Sequence, residues 1–207
     1  MFFFDRLGEL WANTAGYRKK YLHQKVLCFY PLCKDGSAAS WNPLAEVRFQ
    51  TKEEWTDVKE MAHLLLAAQD EICKDSEDAK KHAETLLAMI MVYLLHKHYE
   101  AGRSIPTLFD VSEVLQGENI GGIFKEMKNA NGIEEFQKLI EANEAEKQAV
   151  LSIANKALEV YRNVDVQKNM NHSDFMLRDL LNEKQNVSLY FLLDVYPEGI
   201  PIANFFV

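Results

Sequence analysis

The sequence has few cysteines, and they form no pattern. Its 207 residues contain only three, Cys28, Cys33 and Cys73, with no C-x-x-C pair and no matching histidine spacing. Structural zinc sites need such paired ligands, so no metal site is expected. An odd, scattered set of thiols is typical of a protein kept in a reducing cytosolic compartment. We therefore predict reduced cysteines and no bound metal.

The sequence also lacks an excess of basic residues. Lys and Arg together number 23 against 31 Asp and Glu, which gives a net charge of -8. A protein that binds nucleic acid over its whole surface must neutralise phosphates with basic side chains, and this balance excludes that mode of binding. The sequence singles out no local basic patch.

No targeting segment and no membrane-length apolar run are present. Phe2–Phe4 is too short for the core of a signal peptide and is broken at once by Asp5. Leu86–Leu95, the most apolar stretch, has about half the length that a membrane span needs, so it predicts a buried helix. Together with a hydrophobic fraction of 48%, typical of globular proteins, this predicts a cytoplasmic chain without a membrane span.

Strand-like segments lie at both ends of the chain. Met1–Phe4 predicts a short buried strand that ends at Asp5, and Lys25–Tyr30 predicts a second strand closed by Pro31. Val187–Leu193 is a continuous apolar run, typical of a strand buried on both faces of a parallel sheet.

Helical patterns fill the region between these strands. Apolar residues recur at helical spacing from about residue 51 to residue 181. Thr51-x-x-Glu54 predicts a capping box, and Thr107 with Asp110 opens a shorter helix. Further helical segments are predicted at 123–128, 134–141, 144–162 and 173–181. We predict a predominantly helical α/β fold in which a large all-helical insertion interrupts a partial parallel sheet.

Several short motifs resemble one known family. The string F-D-R-L-G-E-L-W followed by T-A-G-Y-R is similar to the D-x-K-G-E-L and T-A-G-x-R stretch of TraG/TraD-type coupling proteins of type IV secretion. K-V-L-C-F-Y-P and then W-N-P-L match that family's next passage in order and spacing. Similarities at 79–99, 107–111, 173–175 and 187–190 extend over almost the whole chain. The family-motif positions are Asp5, Gly8, Glu9, Thr14, Gly16, Arg18, Trp41, Asn42 and Pro43.

The resemblance implies a specific domain organisation. Such proteins are hexameric ATPases anchored in the bacterial inner membrane, with a RecA-like nucleotide-binding domain interrupted by an all-helical domain that faces the cytoplasm. Residues 1–50 would then be the N-terminal part of the RecA-like domain, 51–182 the inserted all-alpha domain, and 183–207 the return strand of the RecA-like domain.

The resemblance also implies partners. The family hands relaxase–DNA complexes or protein effectors to a type IV secretion channel, so the expected partners are relaxosome or effector-adaptor proteins and channel proteins. The helical domain would recognise the transfer substrate. DNA is expected as a partner only of the complete hexamer.

The chain departs from the family pattern where catalysis is concerned. The Walker A string G-x-x-x-x-G-K-[ST], which cradles phosphates, occurs nowhere in the sequence and would precede Met1. The acidic Walker B strand would follow Val207, and Leu7 stands where the family usually has Lys. We therefore expect no catalytic residue, no cofactor and no measurable ATP hydrolysis in this chain, with ATP and Mg²⁺ bound only by the complete protein. An excised domain, a truncated product and a fragmentary gene model remain open explanations of its ends.

The singled-out residues have both structural and functional interpretations. Asp5 and Glu9 lie where α/β proteins place ligands, at the carboxyl end of a strand, or else form a solvated strand end. Trp41 and Trp55 are predicted to anchor the helices on the sheet, because large aromatics dominate such burial. The acidic helix surface is either a solvated face or a docking surface for a basic partner. Its proposed docking residues are Glu53, Glu54, Asp57 and Glu60, with further acidic residues at Glu134, Glu135, Glu141, Glu144 and Glu146.

Two other classes of protein remain as alternatives. A free-standing helical adaptor without ATPase ancestry would leave its end strands unpaired or in an unrelated small sheet. A complete small enzyme would need a polar pocket, which no motif indicates. The coupling-protein interpretation instead requires the strands near 1–5, 25–30 and 187–193 to lie in one sheet.

Overall fold

The structure, a computed structural model, describes residues 1–67, 77–117, 144–181, 186–192 and 200–206. The predicted helices at 123–128 and 134–141 lie outside the described residues. So do Cys73 and the acidic residues Glu134, Glu135 and Glu141.

The strands from the two ends of the chain pair in one sheet. Strand β1 spans Phe2–Asp5, β2 spans Lys25–Phe29 and β3 spans Val187–Leu192. The order is β1-β3-β2 and both pairings are parallel, with Leu189 opposite Phe2 on one side and Leu27 on the other. The requirement that these three segments share a sheet is confirmed. Unpaired end strands, one of the two outcomes that the adaptor alternative predicted, are excluded.

Strand β3 is the central strand and is buried on both faces. Helix α1 (Glu9–Tyr21) covers one face, where its Trp11 ring contacts Tyr190 edge-on at 5.4 Å between centroids. On the other face, Phe191 stacks on Phe29 with centroids 5.4 Å apart. Burial on both faces explains why β3 is apolar at every position except Ser188. Strand β1 lies at the edge of the described sheet, and its Phe4 is 39% exposed, so the prediction of a buried strand is wrong at this residue.

The remaining described elements between β2 and β3 are helical. Helix α3 (Glu77–Glu100) packs against α2 (Glu54–Ala67), α4 (Leu108–Gln116) and α5 (Glu144–Ala157). The shorter helix α6 spans Val164–Asn169, and α7 spans Ile200–Ala203 after β3. Single 3₁₀ turns span Pro43–Glu46, Glu159–Arg162, Leu177–Leu181 and Asn204–Phe206.

The apolar stretch of α3 is a core segment. Leu86, Leu87 and Ile90 are at most 1% exposed, which confirms the predicted buried helix. Among the helices that the structure describes, none combines the length and the apolarity that crossing a membrane requires. Sheet and helices share one hydrophobic cluster, which includes Phe191 of β3 and Leu65 of α2.

Two similar capping patterns have different outcomes. At α4, the Asp110 amide donates to Thr107 Oγ1 at 3.3 Å and the Thr107 amide donates to Asp110 Oδ2 at 2.6 Å, so this capping box forms. At α2, the carboxylate of Glu54 accepts instead from the Gln50 amide at 3.3 Å, and Thr51 Oγ1 accepts from the Glu53 amide. The capping box predicted at Thr51 is wrong, because α2 begins only at Glu54 itself.

We predict that Phe191→Ala lowers the free energy of unfolding by about 3–5 kcal/mol, because it removes a fully buried aromatic ring from the central strand. Urea unfolding followed by circular dichroism measures the change. Leu7→Ala, at a side chain that is 74% exposed, is the control and is expected to change stability by less than about 0.5 kcal/mol. Equal effects of the two substitutions would contradict the central position of β3.

Candidate functional site

The turn from β1 into α1 is built by two residues of the family motif. Asp5 is 3% exposed, and its carboxylate accepts a hydrogen bond from the Trp11 amide at 2.7 Å. Gly8 has a φ of 72°, in the left-handed region that glycine adopts without strain. Glu9, exposed, follows in the first turn of α1. The structure therefore places Asp5 and Glu9 at the carboxyl end of a strand, and it uses the Asp5 carboxylate to hold the start of α1.

Two other motif residues fasten α1 to the sheet. The Thr14 hydroxyl lies 2.6 Å from the Tyr190 hydroxyl of β3. Arg18 lies over the Phe3 ring, 4.6 Å from its centroid, and donates from Nη1 to Gln24 Oε1 at 3.2 Å. The same Gln24 oxygen accepts from the buried Ser188 hydroxyl at 2.7 Å. Thr14 and Arg18 thus connect α1 to the central strand by polar contacts.

Gly16, between these two residues, has a different environment from Gly8. It lies exposed in the middle of α1, and a Cβ built on it would meet no described atom within 4 Å. Glycine in a helix interior is destabilising relative to alanine. The described part of the chain contains no contact that requires glycine at this position.

Trp41 joins the sheet to the helical side of the molecule. The side chain is 1% exposed, and its ring lies 5.9 Å from the Phe29 ring of β2 and 6.5 Å from the Phe175 ring. Its indole N–H donates to Glu46 Oε1 at 2.9 Å, and the same oxygen accepts from the Leu177 amide at 2.6 Å. This position agrees with the predicted anchoring role of Trp41. Trp55 is partly buried against the same core.

Asn42 connects three segments of the chain through buried hydrogen bonds. Its side-chain nitrogen donates to the Pro106 carbonyl at 2.9 Å, and its side-chain oxygen accepts from the Leu44 amide at 3.1 Å. Its own amide donates to Ser173 Oγ at 3.0 Å. Pro43 is the first residue of the 3₁₀ turn that follows. The W-N-P-L passage is therefore a polar and aromatic junction between distant parts of the sequence.

Sequence reasoning missed two residues that complete this junction. Asn169, at the end of α6, donates from its side chain to the carbonyls of Pro31 at 3.0 Å and Cys33 at 2.8 Å. Asp174 accepts from the Ser40 amide at 2.7 Å. Asp174 lies in the stretch 173–175 that is similar to the family, but a single polar residue has no periodic pattern, so the sequence indicated neither contact.

A groove of about 370 Å³ lies beside the junction. Its apolar wall includes Trp41, Met61 and Phe205, and its charged lining includes Glu60 and Arg178. The groove therefore brings the W-N-P-L passage and part of the predicted acidic surface of α2 together.

The four acidic residues proposed for partner binding differ in whether their carboxylates already have partners within the chain. Asp57 accepts from Arg48 Nε at 2.9 Å, and this hydrogen bond holds the pKa of the Asp57 carboxyl below its ordinary value. Glu54 contacts His96 Nε2 at 2.9 Å. Glu60 is exposed and forms no ion pair with any described residue, and Glu53 has only a 3.6 Å contact with the neighbouring Lys52. Glu53 and Glu60 thus retain the most accessible charge.

Two of the three cysteines, Cys28 and Cys33, lie within the described residues. Cys28 and Cys33 are free thiols. Burial, reinforced by Cys33 and Asp5, raises the pKa of the Cys28 thiol to about 12, so this thiol stays protonated at neutral pH. Across residues 1–67, 77–117, 144–181, 186–192 and 200–206, no three His, Cys, Asp or Glu side chains are grouped as metal ligands.

Comparison with known proteins identifies the family. The family model for type IV secretory system conjugative DNA transfer proteins matches residues 2–206, and the chain belongs to this family. The conjugal transfer protein TraG of Escherichia coli is 33% identical over 202 residues, which are 91% of this chain and 31% of TraG. The chain thus spans less than a third of the length of this curated relative.

Solved structures of a coupling protein share the fold. The bacterial conjugative coupling protein TrwB, in a trigonal form in complex with sulphate, superposes with a TM-score of 0.64 at 15% identity, covering all of this chain and 43% of TrwB. TrwB in complex with ADP and Mg²⁺ gives a TM-score of 0.54 at 12% identity, over 98% of this chain and 50% of TrwB. At these identities the similarity establishes the fold alone.

We predict opposite effects of alanine at Gly8, just before α1, and at Gly16 within α1. Gly8→Ala is expected to lower the free energy of unfolding by about 1 kcal/mol or more, because a Cβ disfavours its left-handed backbone. Gly16→Ala is expected to raise it by roughly 0.5–1 kcal/mol, because α1 has open space there and alanine favours helix. Denaturant unfolding of the two variants measures both, and a shared sign would contradict the description of α1.

We predict that Asn42→Ala lowers the free energy of unfolding by about 1–3 kcal/mol, because it leaves the buried Pro106 carbonyl without its donor. Denaturant unfolding measures the loss. Asn13→Ala, which removes an exposed side chain that bonds only to the Glu9 carbonyl at 2.8 Å, is the matched control. A loss of stability at Asn42 no larger than the loss at Asn13 would show that the hydrogen bonds of Asn42 contribute little to the stability of the fold.

Proposed function

We propose that this chain is the substrate-recognising part of a coupling protein for conjugative DNA transfer. The observation that carries the proposal is the position of β3, which follows the helices in sequence yet lies between β1 and β2. A chain that leaves a parallel sheet, forms helices and returns to the centre of the same sheet fits a nucleotide-binding domain with a helical insertion.

In this proposal, residues 1–50 and 183–207 contribute strands to a RecA-like nucleotide-binding domain, and residues 51–182 form the inserted all-helical domain. TrwB has been solved in complex with ADP and Mg²⁺, which supports nucleotide binding by the complete protein. The Walker A string is absent from this chain, so its residues supply no phosphate cradle. The complete protein would act as a hexamer on the cytoplasmic face of the bacterial inner membrane.

The residues of this chain would position the helical domain rather than perform chemistry. Asp5, Thr14 and Arg18 hold α1 on one face of the sheet. On the opposite face, Trp41 packs on Phe29 of β2, and its neighbour Asn42 binds the Pro106 carbonyl and the Ser173 hydroxyl. Such a junction would make the helices move together with the sheet. Its buried polar groups have no alternative partners, so their hydrogen bonds would have to be kept during the movement.

The docking surface in this proposal lies at the start and on the exposed side of α2. Glu53, just before α2, has a partly exposed carboxylate, and the exposed Glu60 of α2 borders the groove beside Trp41. Opposite charge accelerates and orients association, so the complementary partner is a basic segment of a relaxase or an effector-adaptor protein. Proteins of the secretion channel would engage other surfaces of the complete assembly.

We predict that Glu53→Lys/Glu60→Lys weakens capture of the cognate relaxase about tenfold, because it places cations opposite a basic partner. A pull-down with purified relaxase at low salt, with binding quantified by titration, measures the change. Glu113→Lys/Glu159→Lys makes the same charge change at two exposed positions outside this surface and is the control. Unchanged capture by the α2 variant would remove the acidic docking surface from the proposal.

A further inference from the structure

Tyr161 has a buried hydroxyl group without a partner in the described part of the chain. The residue lies in the 3₁₀ turn Glu159–Arg162, and its side chain is buried in the core. No described group lies at hydrogen-bond distance from its Oη. A buried hydroxyl that is left unpaired costs its full desolvation penalty, so native proteins pair almost all such groups. A partner from outside the described residues is therefore expected.

Comparable buried hydroxyl groups of this chain do have partners. Tyr190 is as deeply buried as Tyr161, and its hydroxyl lies 2.6 Å from the Thr14 hydroxyl. The buried Ser188 hydroxyl donates to Gln24 Oε1 at 2.7 Å. Tyr161 thus departs from the way in which this chain treats its other buried hydroxyls.

The missing partner of Tyr161 has to accept a hydrogen atom. Burial raises the pKa of the Tyr161 hydroxyl above its ordinary value, so the group stays protonated at neutral pH. A protonated phenol donates one hydrogen bond. A neutral acceptor satisfies this donor, and no ion is required.

A small pocket beside Tyr161 has room for one water molecule. It leaves about 10 Å³ in which the centre of a water molecule can lie. A bound water needs roughly 10–15 Å³ of such space, so the pocket is too small for a larger ligand. Its apolar wall includes the buried Leu108 and Met170, and its polar lining residues besides Tyr161 are Thr107 and Gln167.

Gln167 offers a second partner for a water in this pocket. Its Nε2 donates to the Arg162 carbonyl at 3.0 Å, which fixes the side-chain amide. Its Oε1 accepts no hydrogen bond from the residues that the structure describes. The Thr107 hydroxyl is less available, because it already donates to Asp110 Oδ2 at 2.7 Å and accepts from the Asp110 amide at 3.3 Å.

We propose that this pocket binds a single water molecule, which accepts a hydrogen bond from Tyr161 Oη and donates one to Gln167 Oε1. Bridging waters are nearly as favourable in enthalpy as direct hydrogen bonds. The pocket is lined by Pro43 of the W-N-P-L passage, by Thr107 at the N-cap of α4 and by Gln167 of α6. The water would therefore add a solvent-mediated link to the direct hydrogen bonds of Asn42 at the same junction.

Magnetic relaxation dispersion of the water oxygen nucleus tests the proposal, because it counts waters that stay bound for longer than the protein takes to tumble. Tyr161→Phe is expected to lower the count by one, since the water then has a single polar partner and a buried water needs at least two. Tyr190→Phe removes a hydroxyl that is paired with Thr14 and is the matched control, with no change of the count expected. An unchanged count in Tyr161→Phe would overturn the proposal.

Denaturant unfolding of the same variants separates a hydrated hydroxyl from a dry one. Tyr161→Phe is expected to lower the equilibrium constant for folding roughly fivefold, because it removes a completed hydrogen bond. A dry, unpaired hydroxyl predicts the opposite, since its removal ends a desolvation penalty. Stability equal to or above that of the unchanged chain would overturn the water site.

A double-mutant cycle tests whether Gln167 is the second partner. The losses of stability in Tyr161→Phe and Gln167→Met are expected not to add, because either substitution displaces the same water. Additive losses would overturn the assignment of Gln167. A high-resolution crystal structure of the 207-residue chain gives the direct test. Electron density for one water at hydrogen-bond distance from Tyr161 Oη and Gln167 Oε1 is expected, and a pocket without such density would overturn the proposal.

Discussion

The position of β3 between β1 and β2 is the constraint on which the other contacts depend. Its residues complete both pairings of the sheet, support α1 through Tyr190 and support the aromatic cluster through Phe191. These pairings join residues 2–29 to residues 187–192, so they close a very long loop. Loop closure on this scale costs entropy before any strand contact forms. The helices, whose contacts with each other are more local, therefore have to bring the distant ends together.

The elements that cover the two faces of the sheet are held by different kinds of contact. On the α1 face, Thr14 bonds to Tyr190 of β3, and Arg18 bonds to Gln24 just before β2. Most residues of α1 remain exposed. On the other face, Trp41 and Asn42 are almost completely buried, and each of their polar side-chain atoms has a protein partner. Breaking a satisfied buried network costs more than breaking exposed contacts. The helical side is thus the more rigidly held of the two.

Sequence patterns predicted the helices and strands better than the contacts between them. The largely apolar run at Val187–Leu192 predicted a strand buried on both faces, because the residues of such a strand are apolar on both sides instead of alternating with polar ones. The motifs at Thr51 and Thr107 have the same spacing, yet only Thr107 forms a capping box, because α2 begins at Glu54 and Thr51 is therefore not its N-cap. Asn169 binds the Pro31 and Cys33 carbonyls, and no local pattern indicates such a contact. The net charge is a sum over the whole chain, so it gave no indication of the consecutive basic residues that follow Tyr17.

A negative net charge does not prevent local attraction of a polyanion. At physiological ionic strength, exposed charges interact appreciably only within about 8 Å, so a phosphate responds mainly to the nearest side chains. Lys19, Lys20 and Lys25 have no acidic neighbour at ion-pair distance in the described part of the chain, whereas Asp57 is already paired with Arg48. The net charge of -8 therefore does not decide how each part of the surface attracts a charged partner.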